Sequence, residues 1–382
     1  MARRAKLFDR RKAGMTPDKV DPIAPGSTIG IMGGGQLGRM LSLAAAQLGY
    51  RCHIFASEAT SPGGEVSAIN TCADYSDEAA LSAFAAACDV VTYEFENVPV
   101  APLRSIAGKV PLRPSPQALA IAQSRIAEKR FVTGLGGRAA PYGFAETAAD
   151  VGAAIAISGT PAIIKSNRMG YDGKGQARVH KGDDPVARWH EAGGVPAIIE
   201  GFVAFDAEFS VILVRGADGD IRFWDSPENA HVSGILDRSA VPANASILAH
   251  VPAARALATQ VAETLDYIGV LTLEFFATAA GPVFNEMAPR VHNSGHWTIE
   301  GAFTSQFENH IRAICGLPLG DTSLACDRAE MRNLIGEQSD RWPQLLAEPT
   351  NHVHLYGKYR ALPGRKMGHV TRISLHPAGA DA

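Results

Sequence analysis

The sequence contains no long apolar run and few cysteines, and both absences limit what the protein can be. No stretch reaches the about 18 apolar residues of a membrane-spanning helix, so we expect no membrane association. The five cysteines never form a CxxC pair, and any set of disulfides would leave one of them over. This pattern is typical of a protein of the reducing cytoplasm, and we expect a cytoplasmic location.

The chain also lacks a large excess of either charge. Its formal net charge is −3 at pH 7, so no overall field attracts nucleic acid and any anion site must be local. With 46% hydrophobic and 20% charged residues it is an ordinary globular chain, and 382 residues predict two or three domains. Residues 1–25 are basic and lack apolar periodicity. We expect a disordered extension there, with a nucleic-acid arm or a targeting segment as alternatives.

A parallel α/β unit is predicted after this extension. Residues 27–32 are typical of a buried strand, the glycine turn GGGQLG follows at 33–38, and a helix is predicted at 39–48 before a second strand at 51–56. A GxGxxG turn also occurs in dinucleotide-binding folds, but these need an acid at the end of the second strand. That end has Ser57, with Glu58 one place later. A nicotinamide-dependent oxidoreductase is therefore the weaker alternative. A long helix at 116–131 is predicted to lead out of this unit.

The segment NRMGYDGKGQ, residues 167–176, directly follows a strand that ends at Lys165. Glycines in such a loop let backbone N–H groups approach an anion closely, and phosphate is the usual candidate. The segment does not match the Walker A pattern, which opens a helix with Gly-Lys-Ser/Thr. A mobile surface hairpin is the alternative interpretation.

A hairpin with two opposed carboxylates is predicted at residues 271–290. If the loop at 277–282 is symmetric about Ala280, Glu274 pairs with Glu286, because each is six residues away. Opposed side chains on one sheet face lie about 4.5–5.5 Å apart, so the two carboxylates repel unless a proton or a cation intervenes. Oxygen ligands suit Mg²⁺, with Mn²⁺ as a substitute. A solvated hairpin with two surface acids is the alternative.

Two further segments concentrate hydrogen-bond donors. PRVHNSGHW, residues 289–297, brings Arg290, His292 and Asn293 into one loop, as an anion pocket would. YGKYRALPGRKMGH, residues 356–369, places Lys358 and Arg365 on either side of a Pro-Gly turn that can fold both onto one phosphate. A structured turn and a solvated basic hairpin are the respective alternatives.

Together, Lys165 with GYDGKGQ, PENAHVSGIL (227–236), NEMAPRVHNSGHWT (285–298) and GKYRALPGRKMGH (357–369) resemble the ATP-grasp enzymes, and among them the N5-carboxyaminoimidazole ribonucleotide synthetases. The resemblance runs from about residue 29 to residue 375. It implies α/β and α+β architecture, an ATP-grasp fold with an N-terminal biotin-carboxylase-like parallel α/β domain. The implied parts are the N-terminal domain at 26–120, a linker helix and small lid domain at 121–225, and a C-terminal ATP-grasp domain at 226–382 with a terminal phosphate-binding subregion.

The resemblance also implies roles for individual residues. Glu274 and Glu286 would hold Mg²⁺, while Arg290, His292, Asn293 and Lys358 would be catalytic through bicarbonate or the carboxyphosphate made from it. The ATP-binding set would be Arg125, Lys165, Gly170, Tyr171, Asp172, Gly173, Lys174, Gly175, Gln176, Glu200, Gly201, Phe202, Val203, Glu208, His231, Asn285 and Glu286. The ribonucleotide would meet Gln36, Leu37, Glu94, Glu96, Tyr171, Asp172, Lys358 and Arg365.

The implied reaction is the ATP- and bicarbonate-dependent carboxylation of 5-aminoimidazole ribonucleotide in purine biosynthesis, carried out by a homodimer. The glycine loop would act as a lid over the phosphates. Formate-dependent glycinamide ribonucleotide transformylase and biotin carboxylase are alternatives within the same superfamily, and a catalytically silent nucleotide sensor is another. The sequence departs from the family at Asn167, where an arginine is frequent.

Overall fold

The computed structural model describes residues 21–170 and 175–375. The first unit is a four-stranded parallel sheet in the order β3-β2-β1-β4, as the strand and turn pattern predicts. Its strands are β1 (Thr28–Met32), β2 (Arg51–Ala56), β3 (Ile69–Cys72) and β4 (Val90–Tyr93), and its helices are α1 (Gln36–Gln47), α2 (Glu78–Ala86) and α3 (Val100–Ile106). Because β1 and β4 are buried along their length, they read as continuous apolar runs.

The linker contains two helices where the sequence predicted one at 116–131, so that prediction is wrong. The helices are α4 (Pro116–Ala122) and α5 (Arg125–Gly134). Ser124 between them has extended backbone angles, and its hydroxyl accepts a hydrogen bond from the N–H of Ala127. An N-cap of this kind starts a new helix in a new direction. The break turns α5 toward the middle of the molecule.

A second, antiparallel sheet follows the linker. Within the described ranges its order is β5-β8-β6-β7, formed by β5 (Tyr142–Ala145), β6 (Ala162–Ser166), β7 (Gln176–Val179) and β8 (Ala197–Gly201). Helices α6 (Val151–Ser158) and α7 (Pro185–Glu191) pack against it around Ala154, Ile164 and Trp189. Strands β6 and β7 flank the predicted glycine loop. The predicted residues Tyr171, Asp172, Gly173 and Lys174 lie outside the described residues.

The largest sheet has nine strands among the described residues, in the order β14-β13-β9-β11-β12-β15-β17-β16, with β10 paired to β9. They are β9 (Ala207–Arg215), β10 (Ile221–Phe223), β11 (Glu228–Val232), β12 (Ile235–Val241), β13 (Gly269–Thr278), β14 (Gly281–Ala288), β15 (Arg328–Ile335), β16 (Asn351–Leu355) and β17 (Lys366–Ser374). A domain boundary at residue 225 would fall inside this sheet, because β9 and β10 precede it.

Helices cover the large sheet and join it to the first one. They are α8 (Ala245–Leu248), α9 (Val251–Thr264), α10 (Thr298–Gly301), α11 (Gln306–Ile314) and α12 (Trp342–Ala347). Helix α11 packs against both α1 and β13, and Leu41, Phe307 and Ile311 share one apolar core. The first and the largest sheets are thereby connected through α1 and α11. None of the helices in the described ranges has the length and apolar character needed to cross a bilayer.

Candidate functional site

The opposed carboxylate pair is present. Glu274 on β13 pairs directly with Glu286 on β14, as the symmetry argument predicted. The register then shifts by one residue, so that Phe275 faces Phe284. The predicted loop at 277–282 is wrong in length, because both strands continue until only residues 279 and 280 remain between them. The pair is thus held by paired strands, with a register shift directly beside Glu274, and not by a flexible loop.

The two carboxyl groups respond differently to their surroundings. Glu274 is only 8% exposed, and burial together with the charge of Glu286 raises its pKa to about 7. The side chain of Glu286 is more exposed, at 40%. Desolvation raises the pKa of Glu286, but the charge and hydrogen bond of Arg125, 3.0 Å away, together with the charges of Lys165 and Lys129, outweigh it and lower that pKa overall. Near neutral pH the pair therefore keeps one firm negative charge and one site that a proton or a cation can occupy.

The N-terminus of α5 carries Arg125 to this pair, and Asn167 holds that helix end. The side-chain oxygen of Asn167 accepts hydrogen bonds from the hydroxyl of Ser124 at 3.2 Å and the N–H of Ile126 at 3.1 Å. Its backbone oxygen accepts from the N–H of Arg125 at 3.0 Å. The residue that departs from the family pattern therefore satisfies donors at a helix start, where asparagine is favoured.

A buried carboxylate between two lysines lies next to the pair. Glu200 on β8 contacts Lys129 at 2.7 Å and also pairs with Lys165 on β6. Burial raises the pKa of Glu200, but the two ammonium groups outweigh burial and lower it. Lys129 further donates to the carbonyl of Asn285 at 2.6 Å, which joins the linker, the small sheet and the large sheet.

Sequence reasoning missed Lys129. The available signal was its position four residues after Arg125 on one helix, since residues at that spacing lie on the same face. Burial alone does not single it out, because the neighbouring Glu128 is 2% exposed and accepts a hydrogen bond from the N–H of Met287 at 2.6 Å. Lys129 is 3% exposed.

A second acid–base pair lines the same side of the large sheet. Glu208 on β9 contacts Nδ1 of His231 on β11 at 2.8 Å. Burial lowers the pKa of His231, but the hydrogen bond to Glu208 and the charge of Glu274 raise it overall. Because the charge of Glu274 raises the pKa of His231, the Glu208–His231 pair lies near the carboxylate pair. The family resemblance implied Glu208 and His231 as nucleotide contacts.

The remaining predicted nucleotide residues lie around these pairs. Gly170 accepts a hydrogen bond through its carbonyl from Arg125 at 3.3 Å. Gly175 has a positive φ of 67°, which favours glycine, and leads into β7 at Gln176. Phe202 and Val203 follow Gly201 at the end of β8, with Phe202 exposed and Val203 half-buried.

The donor-rich loop is held by side chains from elsewhere in the chain. Arg290 is ion-paired with Glu96, which joins the large sheet to the first unit. Burial and the charge of Arg290 hold the pKa of His292 well below its ordinary value, so His292 is neutral near pH 7. Both ends of the Asn293 amide are bonded to the amide of Asn333, at 2.9 and 2.6 Å.

The glycine turn is filled by a carboxylate of this chain. Glu94 accepts hydrogen bonds from the N–H groups of Gly35 at 2.8 Å and Gly38 at 3.1 Å. A Cβ on Gly35 would lie 2.6 Å from that carboxylate, so glycine is needed for the approach. The donors that a dinucleotide pyrophosphate would require are therefore already used, which removes the main support for an oxidoreductase. Gln36 and Leu37 form the first turn of α1, with Leu37 buried.

The basic turn lies between β16 and β17. The ammonium group of Lys358 donates to the carbonyl of Lys366 at 2.6 Å and lies 5.6 Å above the ring of Tyr356. Its charge lowers the pKa of Glu94, although burial of Glu94 outweighs this effect and raises that pKa. A Cβ on Gly357 would lie 3.2 Å from a carboxylate oxygen of Glu65, so the turn lies against the first unit. Arg365 donates to the carbonyl of Arg360 within the turn at 3.2 Å.

No group of three or more His, Cys, Asp or Glu side chains within residues 21–170 and 175–375 could hold a metal ion by itself. The carboxylate pair still fits Mg²⁺, which keeps several waters and takes one or two carboxylates together with substrate phosphates. A Mg²⁺ ion held in this way needs the nucleotide as a further ligand.

Family comparisons account for nearly the whole chain. Residues 27–123 match the ribonucleotide synthetase preATP-grasp domain, residues 130–307 the ATP-grasp domain, and residues 329–380 the phosphoribosylaminoimidazole carboxylase C-terminal domain. A relative in Brucella melitensis, an N5-carboxyaminoimidazole ribonucleotide synthase, is 47% identical over 354 residues, which are 92% of this chain and 97% of the relative.

Solved structures agree with this. The N5-carboxyaminoimidazole ribonucleotide synthetase from Thermus thermophilus is 45% identical with a TM-score of 0.85, covering 90% of this chain and 93% of its own. The Aspergillus clavatus N5-carboxyaminoimidazole synthase, in complex with ADP and 5-aminoimidazole ribonucleotide, is 30% identical with a TM-score of 0.85 and covers 91% and 94%.

The raised pKa of Glu274 predicts that its carboxyl destabilises the metal-free protein at high pH. The folded pKa of about 7 exceeds the ordinary 4.5, so folding takes up a proton between these values and stability falls as the pH rises through that window. Glu274→Gln keeps the shape of the protonated acid. In urea unfolding with a chelator, the variant should gain on the order of 1–3 kcal/mol over the wild type between pH 5 and pH 8.

The exposed Glu263 on α9 provides the control, since Glu263→Gln should show no such gain. An equal stability difference between Glu274→Gln and wild type at both pH values would contradict the expected proton uptake.

Proposed function

The chain belongs to the N5-carboxyaminoimidazole ribonucleotide synthase family of ATP-grasp ligases, and from this premise we propose how its residues perform the reaction. The protein carboxylates 5-aminoimidazole ribonucleotide to N5-carboxyaminoimidazole ribonucleotide in an ATP-dependent step of purine biosynthesis that releases ADP. The observation that supports the residue assignment best is the opposed Glu274–Glu286 pair, in which Glu274 is buried, next to three cationic side chains.

ATP is proposed to lie between the small and the large sheets. Arg125 and Lys165 contact the phosphates, and Glu208 with His231 contacts the ribose. Both cations are bonded to carboxylates in the structure, so phosphate oxygens would replace or share those partners. The segment 200–203 at the end of β8 borders the adenine, and residues 170–176 cover the phosphates.

Glu274 and Glu286, flanked by Asn285, are proposed to hold Mg²⁺, for which Mn²⁺ can substitute. The metal would neutralise charge on the phosphate oxygens when bound with the nucleotide. The protein itself supplies a rigid strand ladder that fixes the distance between the two carboxylates, and Arg125 keeps Glu286 ionised at neutral pH.

Bicarbonate is proposed to bind at the loop bearing Arg290 and His292. An oxygen of bicarbonate attacks the γ-phosphorus of ATP, the bond to ADP breaks, and carboxyphosphate forms. The exocyclic amine of the ribonucleotide then attacks the carboxyl carbon, directly or after release of CO₂, and phosphate and a proton leave. Arg290 contributes the charge of this pocket, because His292 is neutral, and Asn293 shapes the loop through Asn333.

The ribonucleotide is proposed to lie between the first sheet and the turn joining β16 and β17. Lys358 and Arg365 grip its 5′-phosphate, and the sugar and base meet Gln36, Leu37, Glu94 and Glu96. The position of the turn supports this placement, because Gly357 in the turn lies beside Glu65 and Arg39 of the first unit. Tyr171 and Asp172 complete this set on the basis of the family resemblance.

The protein is further proposed to act as a cytoplasmic homodimer of three-domain subunits. The strand pairing supports a domain boundary after Gly201 and before Ala207. The small sheet ends with β8 at Gly201, and β9, which begins at Ala207, already belongs to the large sheet.

The overall assignment predicts that ADP release requires all three substrates together. With MgATP, bicarbonate and 5-aminoimidazole ribonucleotide present, the purified protein should release ADP steadily. Omission of either bicarbonate or the ribonucleotide should reduce this release to a small fraction. ADP release supported by formate and glycinamide ribonucleotide, or none with the full set, would contradict the assignment.

Loss of one carboxylate of the pair should abolish turnover while the fold survives. Glu286→Gln removes a full charge beside the phosphates, which should cost several kcal/mol of transition-state stabilisation, or a rate loss of about a thousandfold. ADP release is measured across a Mg²⁺ titration, with circular dichroism as the fold check and Glu263→Gln as the control. Wild-type rates at limiting Mg²⁺ would rule out the metal assignment.

Replacement of the turn cations should weaken ribonucleotide binding selectively. A charge-assisted phosphate contact contributes about 1.5–3 kcal/mol, so Lys358→Ala or Arg365→Ala should raise the KM for the ribonucleotide about ten- to a hundredfold and leave that for ATP nearly unchanged. Arg365→Lys should also raise it, since lysine cannot form a bidentate fork. The exposed Arg372 on β17 gives the matched control, Arg372→Ala. A loss that falls mainly on bicarbonate would instead place Lys358 at the carboxyphosphate pocket.

A further inference from the structure

Two histidines lie at the ends of the donor-rich loop motif and the basic turn motif, one in each. Neither has a role in the reaction described above. His296 ends the SGH of the loop, and His369 ends the GRKMGH that follows the turn. Although they are 73 positions apart, their ring centroids lie 4.9 Å from each other. Both side chains are fully buried. The two motifs therefore meet through their terminal residues.

On one side, His369 is bonded to the base of the turn. The hydroxyl of Tyr356 lies 2.9 Å from Nδ1 of His369, and Tyr356 is itself 1% exposed. The ring of Tyr356 supports the ammonium group of Lys358 at 5.6 Å. His354 stacks on His369 with ring centroids 4.4 Å apart, and its own Nε2 lies 2.6 Å from a carboxylate oxygen of Glu300. His369 is thus fixed from several directions.

On the other side, His296 is bonded to the backbone of the donor-rich loop through Gln306. The Gln306 amide nitrogen lies 3.2 Å from Nδ1 of His296 and donates to the carbonyl of His292 at 2.7 Å. The amide oxygen accepts from the N–H of His292 at 2.9 Å. One side chain therefore binds both backbone groups of the residue that faces the carboxylate pair. Gly295 permits the approach, since a Cβ there would lie 2.7 Å from Gln306.

We propose that His296, Gln306 and His369 are positioning residues that hold the bicarbonate loop and the phosphate-binding turn in one fixed relative geometry. The inference rests on the proposed function, in which carboxyphosphate forms at the loop and the amine acceptor is held by the turn. The chain of contacts runs from Tyr356 through His369, His296 and Gln306 to His292 without leaving the protein interior.

The reaction requires a fixed relative position of the bicarbonate loop and the phosphate-binding turn. Carboxyphosphate is formed at one element and consumed by a nucleophile bound at another, while water competes for it. A displacement of about 1 Å between reacting groups can cost about a hundredfold in the transfer step. ATP cleavage needs the ribonucleotide to be bound, whereas transfer also needs its amine to be aligned with carboxyphosphate, so a displaced turn that still binds the ribonucleotide slows transfer more than it slows ADP release. Loss of the contact chain should therefore uncouple the two half-reactions.

The test compares ADP released with 5-aminoimidazole ribonucleotide consumed. The wild type should give about one ADP per ribonucleotide. His369→Phe keeps an aromatic ring but loses the bond to Tyr356, and His296→Phe loses the bond to Gln306. Each should raise the ratio several-fold, up to about tenfold, with a smaller rise for Tyr356→Phe, which removes a single hydroxyl.

His310→Gln provides the matched control, since His310 is equally buried and hydrogen-bonded to Thr92 at 2.9 Å but lies outside the contact chain. This variant should keep a ratio of about one, whatever its stability. If a phenylalanine variant at 296 or 369 fails to fold, Tyr356→Phe tests the proposal through the same ratio of ADP released to ribonucleotide consumed, which should rise above one.

Variants that turn over more slowly but keep one ADP per ribonucleotide would overturn the proposal, because a merely structural role slows both half-reactions alike. Failure of the proposed function has a different signature. In that case the wild type itself would release no ADP in response to the ribonucleotide.

Discussion

Two acidic side chains opposed on adjacent strands are the constraint on which the rest of the site depends. Glu274 is buried, whereas the side chain of Glu286 is 40% exposed beside Arg125, and the nearness of the two charges makes ionisation of the buried member costly. The sequence supplies one counter-charge, Arg125, and the end of a second helix in the linker is needed to deliver it. The other carboxyl is left to a proton, as its raised pKa shows, or to a cation.

The charges of the site also explain why we expect a nucleotide and a metal ion to bind together. Three carboxylates face three cations at the centre of the site: Glu200, Glu274 and Glu286 against Arg125, Lys129 and Lys165. The cations are already paired, so they cannot neutralise a triphosphate alone. A divalent ion that binds the carboxylate pair and the phosphates at once restores the balance. In the proposed function, Glu274 and Glu286 would hold the metal ion and Arg125 and Lys165 would bind the phosphates.

The sequence could predict contacts between side chains that are close in the chain, but not contacts between side chains that are far apart in it. The hairpin that carries Glu274 and Glu286 was predictable because a hairpin is local in sequence. Counted from the turn at residues 279 and 280, Glu274 would oppose Asn285, and the one-residue register shift next to Glu274 brings it opposite Glu286. The pairing of Glu200 with Lys129, and that of Asn293 with Asn333, joins segments that only the folded chain brings together. The break before α5 carried a signal in Ser124, yet the apolar pattern continued across it, and helix periodicity alone cannot detect a change of direction.

The glycine turn shows most clearly why a motif does not by itself define a function. Its local geometry is that of a helix N-terminus with exposed donors, which is the same in dinucleotide-binding proteins and here. The difference comes from Glu94, at the end of β4 and about sixty positions away, whose carboxylate occupies those donors. Burial raises the pKa of Glu94, whereas the backbone hydrogen bonds and Lys358 lower it, so this carboxyl is sensitive to what binds beside it. An anion site has in this way become an internal contact that fixes the wall of the proposed ribonucleotide site. The local motif determines the shape of the turn, and a distant residue determines which ligands it can accept.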